Sequence, residues 1–170
     1  MTNRTAWAAA VFLLAMAFAT HAIADSAAPQ VTEKLTVVPD HPYDEAADAH
    51  ADVTLAIARA AATHKFVLLD FGGNWCPDCR VTAGVLGMNA VQSWVAKNFV
   101  FVPVDVGRMN KNLDIAQGYG VKIVAVPTII ILDSQGHMIN SGNPSALKDA
   151  RGMSPQAIVD TIHGWIEKAG

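Results

Sequence analysis

The chain has 170 residues, with 12 Lys and Arg against 15 Asp and Glu for a formal charge of −3, and it is 52% hydrophobic. That length suits one domain with a substantial core, and the acidic balance, with no arginine cluster or basic stripe, argues against nucleic-acid binding. The two cysteines are too few for a disulfide-dense scaffold and stand together as Cys76-Pro77-Asp78-Cys79, where a bridge would restrain the unfolded chain little.

In chain order, Arg4 precedes the uncharged apolar run Trp7 to Ala19, and Ala22 and Ala24 flank Ile23 just before Asp25. That order reads as a secretory signal cleaved after Ala24. The run is shorter than the roughly 20 residues that cross a bilayer as a helix. Residues 1–24 are therefore expected to be removed, with a retained membrane anchor as the alternative. Residues 25–43 read as an extended, exposed leading segment in which Leu35-Thr36-Val37-Val38 could pair as an edge strand. From about Asp44 to His64, Ala49, Val53, Ile57 and Ala60 share one face of an alanine-rich helix.

Phe66 to Phe71 reads as a buried strand, and Gly72-Gly73-Asn74 as a turn that permits a tight approach. The segment from Cys76 to about Leu86 can be helical, although Gly84 and Gly87 weaken it, and Val91, Trp94 and Val95 mark another short helix. Phe99 to Val104 is a second strand that Pro103 should interrupt. Asn110 to Tyr119 is a short helix ended near Gly118 and Gly120. Thr128 to Leu132 is the most apolar strand, and Asp133 to Gly136 turns the chain toward a hairpin arm at His137-Met138-Ile139. An irregular excursion begins at Asn143. Ser154 caps a last helix that starts with Pro155 and carries Ile158, Ile162, Trp165 and Ile166 on its apolar face. The order implies one α/β domain over 44–170, a central mixed sheet covered by helices.

Leu69-Asp70-Phe71, then Asn74-Trp75-Cys76-Pro77-Asp78-Cys79-Arg80, then Val126-Pro127-Thr128 before an Ile-rich strand and Gly136 in the hairpin, resemble the thioredoxin superfamily, and most closely its exported bacterial members. The resemblance covers about residues 44–170. It implies a thioredoxin-like three-layer α/β/α sandwich, a redox-active disulfide, a cis bond before Pro127, and Cys76 at a helix start beside the Pro127 loop. It also implies a periplasmic location. The chain departs from the pattern in three places. Pro77-Asp78 replaces the common Gly-Pro, the stretch from Tyr119 to Pro127 is longer, and Phe101 to Val104 lacks the lysine often found near the buried acid.

Thiol exchange needs an accessible thiolate, and a helix start stabilises one. Cys76 is accordingly the expected nucleophile, and Cys79, one turn later, the thiol that resolves the mixed disulfide. Asp70 is the candidate to exchange a proton with Cys79, directly or through water; its alternative is a structural acid or an exposed strand end. Asp78 could oppose the nearby thiolate, with Arg80 offsetting it, or could simply be solvated at the helix start. Trp75 would wall the sulfur pair or merely pack. Pro77 belongs to the same active-site loop. Val126 would offer its backbone to an extended client, with Pro127 shaping that loop or only starting a strand.

The expected function is a thiol–disulfide oxidoreductase, a reductase or general exchanger, working on exported cysteine-containing proteins. A separate redox partner would regenerate it, with a membrane electron donor as one source. A monomer is expected, and no cofactor is required. Two alternatives stand. One is a metal-binding or metal-delivery protein using the cysteine pair, although His41, His50, His64, His137 and His163 show no ligand spacing and no metal is assigned. The other is a redox-inactive adaptor that uses the fold as a peptide-binding surface.

Overall fold

The central strand β1, Phe66–Gly72, is buried along nearly its whole length, and its alternation sets two core layers. Val67, Leu69 and Phe71 turn to one face, while Leu68 and Asp70 turn to the other. Burying each large apolar side chain here contributes roughly 1.5–3 kcal/mol, and Asp70 accepts burial in their midst. The structure, a computed structural model, describes residues 27–168. The expected signal at 1–24 lies outside the described residues. Among the described residues no helix is long and apolar enough to cross a membrane.

Strand β2, Phe99–Asp105, runs parallel to β1, and β3, Thr128–Leu132, runs antiparallel to it, giving the order β2-β1-β3. Helix α1, Ala49–Thr63, covers the Leu69 face with Val53, Ala56 and Ala60. Four more helices follow: α2 at Pro77–Leu86, α3 at Asn89–Asn98, α4 at Leu113–Gly118 and α5 at Pro155–Glu167. Helix α4 joins α1 through Ile115 and Ala116, and α2, α3 and α5 cover the Leu68 face. This is the expected three-layer thioredoxin-like arrangement around a mixed sheet. Helix α5 begins as its sequence predicts, with the Ser154 hydroxyl accepting the Ala157 N–H and Pro155 in the first turn.

Several local expectations change. Helix α1 starts at Ala49, not near Asp44, because Asp48 caps it by accepting the Ala51 N–H at 3.1 Å, while Asp44 closes its own turn with Ala46 and Ala47. Helix α4 is confined to Leu113–Gly118. Pro103 does not interrupt β2; it stays in register opposite Asp70. At the edge of the described sheet, half of a strand's donors face away from any partner, so a missing N–H is tolerated. The expected hairpin arm at 137–139 shrinks to a single bridge between Leu132 and Met138. Buried Asn140 completes that edge with its side chain, accepting the Ile131 N–H at 2.9 Å and donating to the Ile129 carbonyl at 2.8 Å.

The leading segment departs most. No strand forms at 35–38, and the described part of the segment is not simply exposed. It lies as a strap over α5 and α2. The Val31 N–H bonds the Gln156 side chain, Arg80 Nε donates to the Pro39 carbonyl at 2.8 Å, and Ala28, Val31 and Leu35 pack on the Leu68-side core. Gly84, which costs α2 helical propensity, sits directly beneath. A Cβ there would stand 2.8 Å from the Val37 carbonyl oxygen and 3.2 Å from Leu35 Cδ1. The strap ends at Tyr43, in the functional site.

Candidate active site

The turn after β1 leads into α2 through Cys76, whose extended backbone makes it the N-cap, with Pro77 in the first turn. The Cys76 sulfur accepts the Cys79 N–H at 3.1 Å, and the two cysteines are joined as a disulfide with Cα atoms 5.3 Å apart. A thiolate at Cys76 would meet this donor and the positive end of α2, both of which favour the anion. The Val126–Pro127 peptide is cis, and the Val126 carbonyl oxygen lies 3.6 Å from Cys76 Sγ.

The accessible sulfur that thiol exchange needs is largely covered in the disulfide form. Cys76 is only 3% exposed in the disulfide form and Cys79 is 0% exposed, because Tyr43 and Val126 pack over the pair. What distinguishes the two residues is therefore a narrow window at Cys76. Trp75, expected to wall the sulfurs, is 41% exposed and turns toward the loop after β2, where its Nε1 donates to the Gly107 carbonyl and Arg108 lies 5.6 Å from the ring centroid.

Asp70 is completely buried on the α2 side of β1. Its Oδ2 accepts the Tyr43 hydroxyl at 2.9 Å, whereas its Oδ1 has no partner. Burial pushes this carboxyl up to about 7, and the Tyr43 hydrogen bond pulls it partly back. Burial, with the Asp70 charge behind it, also holds the Tyr43 phenol well above its ordinary range, so it remains an O–H.

Tyr43 itself is fixed by Asn74, which accepts its N–H and donates to its carbonyl, both at 3.0 Å. Gly72 makes room for it. A Cβ there would stand 2.2 Å from the phenol oxygen and 2.9 Å from Cys79 Sγ.

Asp78 is 8% exposed and pairs with Arg151, not Arg80. It accepts the Arg151 N–H at 2.9 Å, and Arg151 Nε reaches both carboxylate oxygens at 3.1 Å. Arg80 turns the other way, to Asp40 and the Pro39 carbonyl. The structure thus brings Asp70, Cys76, Pro77, Cys79, Val126 and Pro127 together, sets Trp75 at the rim, and ties Asp78 to a distant loop. Tyr43 and Arg151 were not singled out from sequence. Neither stands in a periodic pattern or a motif, and only the fold brings Tyr43 to the sulfurs and Arg151 to Asp78.

Comparison with known proteins settles the family. A family model described as Thioredoxin-like matches residues 48–134. The chain belongs to the thioredoxin-like family. Among solved structures it is similar to a disulphide isomerase from Xylella fastidiosa Temecula1, at 38% identity, TM-score 0.68, covering 75% of this chain and 97% of that one. It is 28% identical to Thioredoxin H4 of Arabidopsis thaliana over 46% of this chain, and 39% identical to Thioredoxin-2 of Pyricularia oryzae over 42% of it. The chain spans 60% and 37% of the lengths of those two relatives. Family membership together with the Cys76–Cys79 pair makes the domain a thiol–disulfide oxidoreductase in the general sense. Tyr43 and Arg151 both lie outside the matched stretch.

Proposed function

We propose that this protein is exported to the periplasm and exchanges disulfides with cysteine-containing client proteins, as a reductase or general exchanger. The observation that carries the reading is the position of Cys76 Sγ at the start of α2, accepting the Cys79 N–H at 3.1 Å. In the reduced protein, the Cys76 thiolate attacks one sulfur of a client disulfide. A mixed disulfide forms and the first client thiolate leaves. Cys79 then loses its proton, attacks Cys76 Sγ and displaces the second client thiolate. Two electrons have passed to the client, and the Cys76–Cys79 disulfide remains. The same steps in reverse oxidise a client dithiol. The backbone of Val126 receives the extended client beside Cys76, and Trp75 and Pro77 flank the approach. A separate redox partner, such as a membrane electron donor, resets the pair. Export rests on the order of residues from Arg4 to Asp25.

Cys79→Ser, expressed in the compartment and trapped with its clients, should accumulate mixed disulfides at Cys76, while Cys76→Ser should form none and lose exchange. Normal exchange in Cys76→Ser would overturn the assignment of the nucleophile. The likeness to a disulphide isomerase favours a second reading, rearrangement of client disulfides. Rearrangement of a scrambled substrate requires only Cys76, so retention of that activity in Cys79→Ser would select it.

A further inference from the structure

From the placement of its phenol on a buried carboxylate and close to the resolving sulfur, we propose that Tyr43 is the proton bridge between Asp70 and Cys79. The inference rests on the exchange chemistry proposed above and assigns its proton path. The phenol already donates to Asp70 Oδ2 at 2.9 Å. The phenol oxygen and Cys79 Sγ stand 2.2 and 2.9 Å from the point that a Gly72 Cβ would occupy, so they are no more than 5.1 Å apart, and Tyr43 packs against both cysteines. Tyr43 is 2% exposed, and its backbone is held at both polar atoms by Asn74.

During resolution the Cys79 thiol gives its proton to the Tyr43 oxygen as the Tyr43 hydroxyl proton passes to Asp70 Oδ2. Asp70 becomes a neutral acid, Tyr43 is again a neutral phenol, and the Cys79 thiolate attacks Cys76 Sγ. No charge rests on the phenol at either end of the step, which suits a group whose ionisation burial and Asp70 oppose. Asp70 also borders a cavity of about 240 Å³ lined by Pro39 and Pro42 of the strap, Leu86 of α2 and Pro103 of β2. The groups around the pair leave few competitors. Asp70 faces Pro103 and Ile129 across the sheet, Cys79 stands on α2, and Asp105 of β2 adds its charge to the field at Tyr43.

The test follows the reduced full chain mixed with an aromatic disulfide whose released thiolate absorbs visible light. The first release reports attack by Cys76, and the second reports resolution by Cys79. Tyr43→Phe should leave the first phase near the parent rate, slow the second about a hundred-fold, remove its solvent isotope effect and shift its pH profile upward. A fluorinated tyrosine at position 43, which preserves packing, should change the second phase while leaving the first alone. A second phase in Tyr43→Phe that matches the parent in rate, isotope effect and pH profile would overturn the bridge, whatever Asp70→Asn does. A parent with no first phase, or a first phase that survives in Cys76→Ser, would instead overturn the exchange reading itself.

Discussion

Behind the disulfide, Asp70 meets a single partner and keeps one oxygen bare; beside it, Asp78 is fully engaged by the backbone and guanidinium of Arg151. Both carboxylates are buried, one on the strand that leads to the cysteines and the other in the first turn of the helix they begin. The difference lies in what each was given on burial. An acid that buries without a cation holds its proton into the neutral range and can trade it. An acid that buries with a cation becomes a strut. Here Asp78 joins the first turn of α2 to the turn before α5, and its charge is offset where it would otherwise oppose a thiolate.

Asp70→Asn tests the contrast with the largest effect. The folded carboxyl titrates near 7 and the unfolded one near 4, so between those values the folded protein holds a proton that the unfolded chain has lost. Stability therefore falls as pH rises through that window and levels off above it. In the oxidised protein, Asn at position 70 should add on the order of 4 kcal/mol at about pH 9 and almost nothing at about pH 4, read by denaturant unfolding. A gain independent of pH would mean that Asp70 does not carry the cost assigned to it.

Removing the strut should act in the opposite direction. Arg151→Met leaves a buried carboxylate with one backbone donor, and a loss of about 1–3 kcal/mol is expected near neutral pH. In the reduced protein the uncompensated charge should also move Cys76 thiolate formation to higher pH. A stable variant with an unmoved thiolate titration would reduce the pair to a surface contact. Asp78→Asn is the mildest change. It can still accept the Arg151 N–H, so stability should move by less than about 1 kcal/mol, and thiolate formation should shift slightly to lower pH. A shift upward would reverse the electrostatic sign argued here.

How far the site could be read from sequence follows from how far its parts stand apart in the chain. Cys76 and Cys79 are separated by one helical turn, and Asp70 sits on the strand that feeds them, so local spacing was enough to bring these together. Pro127 was found through the resemblance to the thioredoxin superfamily; its place before an apolar strand would by itself have suggested only a strand start. Tyr43 was read only as the last residue of the exposed leading segment, since nothing near it in sequence signals a buried phenol. Asn140 was passed over because an amide can replace a strand only when a bare sheet edge lies beside it. The reading of Pro103 erred for a related cause: the sequence shows a proline in a strand but not which strand forms the edge.

What the sequence determined by itself is whatever depends on neighbours within a few residues. These are the continuous apolar runs that bury β1 and β3, the Ser154 and Pro155 start of α5, and two thiols placed across the first turn of α2. The tertiary structure alone decided that the leading strap would close on the sheet, that Tyr43 would meet Asp70 from 27 residues away, and that Arg151 would meet Asp78 from 73. Those pairings have no local signature because the free energy that forms them comes from burial, which draws together groups whose separation along the chain carries no information about their distance in space.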